Sequence, residues 1–247
     1  MSFPEGLTTR YPALLPFADL YDVESHDGRE ITLLKYIYAH PDLDKFRNSP
    51  SGICRVMDEF AAKQDFLINI GSDKGEKVRQ MIEQEKPTVL VEFGGYVGYS
   101  AIFFADAMRR AAASADGLRL WSLEFDPLIA SIAMNLIDLA GLSDIVKVVV
   151  GPAADSLERL KKEGKVTDVD FVFLDHCEEL YVQDFKVCED LKLLKSGSLV
   201  VADNVMRPGA PAYREYVRQN EKFESWGVPG LIMPGSFEDE LEVTRIK

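Results

Sequence analysis

The chain has 247 residues, 47% of them apolar and 28% charged, so it can bury a full core and has the balance of a soluble globular enzyme. Its net charge of -13 leaves no basic surface with which to displace counterions, which disfavours nucleic acid and anionic membranes as partners and favours a small-molecule substrate. The first residues lack a basic, apolar leader, no run is long enough to span a bilayer, and Cys54, Cys177 and Cys188 are too irregular for a zinc site or a disulfide framework; a cytoplasmic protein with free thiols is expected, plausibly monomeric.

Residues 1–28, rich in Pro, Gly and Asp, predict an extended arm. Apolar residues then recur at helical spacing over 31–40, 51–66 and 74–85, interrupted at 41–44 and 69–73. From Thr88 onward strand and helix alternate, with strands at 88–93, 118–124, 146–150, 170–174 and 198–202 and helices at 99–113, 127–140, 154–163 and 179–194. A helix over 211–220 precedes two strand-like pieces at 222–226 and 240–246. This order predicts an α/β fold: a doubly wound, Rossmann-like, mostly parallel seven-stranded sheet with an antiparallel C-terminal hairpin and extra N-terminal helices. A single domain over 1–247 is expected, comprising the arm at 1–28, the N-terminal helices at 29–86 and the α/β core at 87–247.

The first strand runs into a glycine-rich turn, Glu92-Phe93-Gly94-Gly95-Tyr96-Val97-Gly98, and a helix begins just after it. Glycine permits backbone conformations and close approaches that a Cβ blocks, as nucleotide and nucleoside sites require. The outer glycines are spread by four residues and Glu92 sits at the strand's end, which disfavours a pyrophosphate. The Glu92 carboxylate suits a cofactor with a cationic amino-acid tail, such as S-adenosylmethionine; a ligand-free αβ turn is the alternative.

Further polar residues stand at the carboxyl ends of strands, where ligands collect in such a sheet. Glu124 is placed to accept both hydroxyls of a ribose, or else is a solvated acid. Asp155 borders an adenine or caps a helix. Asp175 ends one fully apolar strand, and Asp203 with Asn204 ends another. Parallel strands would bring these together as two carboxylates and an amide oxygen, a hard oxygen set suited to Mg²⁺. Separate helix caps are the alternative.

With these residues in place, the chain resembles the catechol O-methyltransferase family of S-adenosylmethionine-dependent enzymes over residues 28–247. The resemblance rests on Asn69-Ile70-Gly71 with Lys74-Gly75, on the run from Leu90 to Ser100, on Phe173-Leu174-Asp175-His176, and on Ala202-Asp203-Asn204-Val205 with Pro208-Gly209. It implies cofactor contacts at Asn69, Ile70, Glu92, Gly94, Tyr96, Ser100, Glu124, Phe125, Ala153 and His176, and Mg²⁺ ligands at Asp175, Asp203 and Asn204. The implied reaction transfers the methyl group of S-adenosylmethionine to a hydroxyl of a catechol-like or other vicinal dioxygen molecule.

The chain departs from that pattern where the family has a proton-accepting lysine and this sequence has Glu178. Glu178 is the candidate base; a solvated acid at a helix start is its alternative reading. Cys177 replaces a tryptophan, Ala153 and Ala154 replace polar residues, Phe66 replaces a second tryptophan, and Met233 falls where the family supplies a glutamate to the acceptor. Two other readings follow from these changes: a cofactor-binding enzyme of the same fold with a non-methylating reaction, and a catalytically silent binding homologue.

Overall fold

In a computed structural model that describes residues 24–235 and 237–247, four helices precede the sheet: α1 (Arg29–Tyr38), α2 (Leu43–Phe46), α3 (Pro50–Lys63) and α4 (Gly71–Glu85). Most of the expected arm, at 1–23, lies outside the described residues, as does Ser236. Then come β1 (Val89–Phe93), α5 (Tyr99–Ala111), β2 (Arg119–Glu124), α6 (Pro127–Leu139), β3 (Val146–Val150), α7 (Ala153–Lys162) and β4 (Val169–Leu174). A 3₁₀ turn at Glu178–Leu180 leads into α8 (Tyr181–Asp190), and β5 (Leu194–Ala202), α9 (Pro211–Gln219), β6 (Phe223–Ile232) and β7 (Phe237–Ile246) complete the chain.

Among the described residues the sheet has seven strands in the order β3-β2-β1-β4-β5-β7-β6, with β1 to β5 parallel and β7 antiparallel to both its neighbours. Alternation along the strands explains the layering. Phe171 and Phe173 of β4 enter one apolar cluster, shared with α1 to α6, while Val172 and Leu174 enter a second, shared with α7 to α9. A parallel strand that is apolar at both parities needs cover on both faces, and the helices supply it.

Local chemistry sets several boundaries. Asp126 accepts hydrogen bonds from the Leu128 and Ile129 N–H groups at 2.7 and 2.9 Å, and Pro127 follows at the first helical position, which starts α6. Several expected boundaries move. The helix expected over 179–194 begins at Tyr181 and ends at Asp190. The fifth strand begins at Leu194 rather than 198, because Ser198 Oγ donates to the Val169 carbonyl at 2.7 Å and holds a bulged register there. β6 and β7 are ten residues each, longer than the pieces read at 222–226 and 240–246. β6 is an edge strand, which tolerates Pro229 in a way that a central strand does not.

The strand order reverses between β1 and β4, and the carboxyl ends are levelled there. Gly94 N–H donates to Leu123 O, Asp175 N–H to Phe93 O and Asp203 N–H to Leu174 O, each at 2.9 Å. This crevice is where an open α/β sheet places its ligand. Gly94 has φ +90°, and a Cβ there would lie 2.2 Å from the Asp175 carbonyl oxygen. Gly94→Ala should therefore cost at least about 2 kcal/mol of stability, against about 1 kcal/mol for Gly117→Ala. Gly117 shares the positive φ, at +82°, but faces open space. Equal denaturation midpoints for the two variants would show that the close approach of β1 to β4 is unimportant.

Candidate functional site

The candidate site is assembled from the loops that follow β1, β2, β4 and β5, closed on one side by the start of α4. The levelling of β4 and β5 sets Asp175 and Asp203 side by side, each one residue beyond the paired Leu174 and Ala202. Burial pushes the Asp175 carboxyl well above the usual carboxylate range, and the charge of Asp203 adds to the effect. Burial likewise raises Asp203, with Lys74 offsetting part of the rise.

Lys74 is fully buried. Its Nζ donates to Asp203 Oδ1 at 2.5 Å and to Asp239 Oδ2 at 2.8 Å. Burial alone would pull this ammonium down, but the two aspartates more than offset it and leave it above its ordinary value. The lysine stem passes Gly230 of β6, where a Cβ would stand 2.5 Å from Lys74 Cγ. Asp73, the preceding residue, accepts from Leu231 N–H at 2.9 Å, so α4 is tied to β6 at two adjacent positions.

Hydrogen-bond accounting shows which oxygens remain. Asp203 Oδ1 accepts from Lys74 and from the Asn204 N–H at 2.7 Å, while Oδ2 is buried without a partner. Asn204 Nδ2 donates to Arg207 O at 2.9 Å and to Asp239 Oδ2 at 3.3 Å. Both amide hydrogens are thus used, and the amide oxygen is left as an acceptor. One carboxylate oxygen and one amide oxygen, on adjacent residues beside Asp175, form a hard donor set that fits a divalent cation such as Mg²⁺. Among the described residues no group of three or more His, Cys, Asp or Glu side chains has metal-ligand spacing; this set is two carboxylates and an amide. Glu178 opens the 3₁₀ turn beyond Asp175, half-buried, and its carboxyl is raised by burial and by neighbouring charge that includes Asp203.

The other half of the site surrounds the glycine loop. Glu92 is fully buried, accepts from Ser122 Oγ at 2.5 Å, and keeps Oε1 without a partner. Burial raises its carboxyl to about 7, with Ser100 and Ser122 pulling the other way. Asn69 Oδ1 accepts from Gly71 N–H at 3.0 Å, leaving its Nδ2 buried and unpartnered; Ile70 is buried behind it. A free acceptor on Glu92 and a free donor on Asn69 match an ammonium and a carboxylate, the two ends of an amino-acid tail. His176 Nε2 donates to Asp184 Oδ2 at 2.8 Å, and its ring packs beside Phe93 and Tyr181, leaving Nδ1 buried without a partner.

Several expected residues have partners within the protein or lie at its surface. Glu124 accepts from Tyr96 N–H at 2.7 Å and Asp126 N–H at 2.8 Å, so in this state its carboxylate holds the glycine loop. Tyr96 turns its hydroxyl to Glu30 on α1 at 2.9 Å, with φ +40°. Ala153 begins α7 and is half-buried, and Asp155 is an exposed first-turn residue of that helix, whose N-cap is Pro152. Phe125 is 73% exposed beside Glu124, an apolar surface with no protein cover. Met233 lies against Gly71, where an added Cβ would meet its side chain at 2.9 Å.

Lys74 and Asp239 were not assigned roles from sequence, although each carried a signal. Lys74 stands four residues before Val78 and eight before Ile82, on the buried stripe of α4. Asp239 shares strand parity with the buried Leu241 and Val243. A charge in an apolar stripe marks a buried ion partner.

A family model described as O-methyltransferase matches residues 52–222. A catechol O-methyltransferase of Sus scrofa is 40% identical over 175 residues, spanning 71% of this chain and 91% of that protein. A catechol O-methyltransferase of Bos taurus is 35% identical over 197 residues, spanning 80% of this chain and 69% of that protein. The fold is shared with an O-methyltransferase from Bacillus cereus solved with SAH, at a TM-score of 0.64 and 21% identity, covering 98% of this chain and 100% of that one.

The buried Glu92 carries a pH consequence for the cofactor-free protein. Its carboxyl rises from an ordinary 4.5 to about 7, so between those values the folded chain holds a proton that the unfolded chain has lost. Stability present at the acid end of that window is then lost as pH rises through it, on the order of 3 kcal/mol. Glu92→Gln should flatten this dependence. Thermal unfolding between about pH 5 and 8 should show the wild-type Tm falling more steeply than the variant's, and parallel curves would rule out a buried protonated acid at Glu92.

Proposed function

The chain belongs to the O-methyltransferase family, and from that premise we propose that it is a Mg²⁺-dependent enzyme that moves the methyl group of S-adenosylmethionine to one hydroxyl of a catechol-like or other vicinal dioxygen small molecule. The observation that carries the metal dependence is the pair of uncommitted oxygens on Asp203 and Asn204 beside the half-buried Asp175. A neighbouring cation relieves the repulsion of two adjacent acids that burial otherwise drives toward protonation. When bound, Mg²⁺ supplies a Lewis acid that lowers the pKa of an acceptor hydroxyl, and S-adenosylmethionine supplies an electrophilic methyl group.

The chain's own residues do the rest. Asp175, Asp203 and Asn204 would hold the cation. Asn69 Nδ2 and Glu92 Oε1 would hold the amino-acid end of the methyl donor, and Glu124, released from the glycine loop, would accept the ribose hydroxyls. The uncovered Phe125, the Ala153 end of α7 and the His176 ring would flank the base. Exposed apolar side chains stand at Ile68, next to Asn69, at Leu180, the end of the 3₁₀ turn, and at Met206, two residues past Asn204, a rim that suits an aromatic acceptor. Holding acceptor oxygen and methyl carbon in line is the larger part of catalysis for a direct displacement.

Glu178 takes the proton of the reacting hydroxyl at a carboxylate oxygen. Its raised pKa, set by burial, makes it a stronger base than an exposed glutamate. The acceptor class is consistent with a chain of net charge -13, and among the described residues no helix is long and apolar enough to cross a membrane. A cytoplasmic monomer acting on small molecules is the corresponding cellular reading.

Transfer of labelled methyl from S-adenosylmethionine to a catechol panel, run with Mg²⁺ and again with a chelator, tests donor, acceptor and metal together. Chelator-sensitive transfer is the expected result, whereas transfer that persists undiminished in chelator would remove the metal from the proposal. Glu178→Gln should lower kcat by about 100-fold with little change in the donor's KM, and should abolish the acid limb of the kcat profile. An unaltered profile would leave Glu178 as a solvated acid.

A further inference from the structure

Asp239 lies outside the donor set, on β7, yet it gathers three hydrogen bonds from the segment that carries that set and a fourth from Lys74 on α4. Its Oδ1 accepts from the Met206 and Arg207 N–H groups at 3.2 and 3.1 Å, and its Oδ2 accepts from Asn204 Nδ2 at 3.3 Å and Lys74 Nζ at 2.8 Å. Asp239 is 3% exposed and Lys74 is 1% exposed, so these contacts are shielded from water. Asn204 itself has φ +57°, a left-handed conformation that Asn adopts more readily than other non-glycine residues.

We propose that Asp239, held in place by Lys74, is the positioning residue of the cation site. It orients the Asn204 amide so that the oxygen, not the nitrogen, is left free, and it fixes the 204–207 turn. Through Lys74 it fixes Asp203 by Oδ1, leaving Oδ2 as the free oxygen. This inference rests on the metal reading above and deepens it: α4 and β7 position two ligands that β5 supplies. The direction of charge argues the same way. Lys74 places a positive charge beside a cation ligand, which by Coulomb repulsion alone weakens cation binding, so its presence there is explained by the hydrogen bonds that fix Asp203 and Asp239.

Two variants separate positioning from charge. Asp239→Asn is isosteric, but each carboxylate oxygen takes two donors, so the new amide NH₂ faces donors whichever way it turns. The double variant Lys74→Met/Asp239→Leu removes one charge of each sign and leaves the net charge unaltered, while it takes from Asp203 its Lys74 partner and from the Asn204, Met206 and Arg207 N–H groups their acceptor. The readout is Mn²⁺ affinity by electron paramagnetic resonance, with SAH affinity by titration calorimetry in the same samples. Both variants should bind Mn²⁺ at least about tenfold more weakly than the wild type, with SAH affinity held within about twofold. Wild-type Mn²⁺ affinity in the double variant would overturn the inference and reduce Asp239 to a charge effect; equal loss of SAH and Mn²⁺ would overturn it in favour of a general structural role. A wild-type protein that binds SAH but no Mn²⁺ would instead fail the metal reading itself. Should the double variant not fold, Asp239→Glu, which keeps the charge and displaces the carboxylate, answers by the same two affinities.

Discussion

The buried contact of one ammonium with two carboxylates is the constraint around which this end of the molecule is organised. Lys74 comes from α4, Asp203 from the end of β5 and Asp239 from β7, and none of the three can be left alone in a water-free interior. Removing one partner of such a cluster leaves an uncompensated charge, which costs on the order of 3–5 kcal/mol. The cluster therefore couples the N-terminal helical layer to the antiparallel end of the sheet. Gly230 follows from it, since the lysine stem needs the space that a side chain on β6 would take.

The parallel half of the sheet contributes a second constraint, the levelling of strand ends at the topological switch. Backbone hydrogen bonds from Gly94, Asp175 and Asp203 continue the ladders one residue past the strands, so a glycine and two aspartates arrive at one crevice. Glu92 and Asn69 face it with an unpartnered acceptor and donor, and Asp203 with an unpartnered oxygen. Buried polar atoms without partners are uncommon in folded chains, and those of Asn69, Glu92, His176 and Asp203 lie in the segments that meet at this crevice. Glu124 and Tyr96, by contrast, are satisfied within the protein, through the glycine loop and through α1.

Legibility in the sequence followed the range of the interaction involved. The glycine turn was readable because Gly94 and Gly98, at φ +90° and +87°, answer a local backbone demand. The acids ending β4 and β5 were readable because two apolar strands stop abruptly at polar residues. The hairpin lengths were not: Gly227, Pro229 and Gly230 read as a loop, and only pairing with β7 makes that stretch a strand. Asp239 looked like one member of the acidic run 238–240, although strand parity sends it inward beside Leu241 and Val243.

From its sequence alone, the protein's class and family were determined, because alternating strand and helix periods, a glycine-rich turn and strand-terminal acids are patterns carried by neighbours along the chain. The motifs at 69–75, 90–100, 173–176 and 202–209 likewise name the residues of the crevice without coordinates. Only the tertiary structure decided which atoms of those residues are free and which are engaged. That Lys74 meets Asp203 and Asp239, 129 and 165 residues away, depends on where α4 and β7 dock against the end of β5. Such pairing has no signature in local periodicity, because the energy that enforces it, the cost of an unpaired charge in a dry interior, exists only once the core has closed.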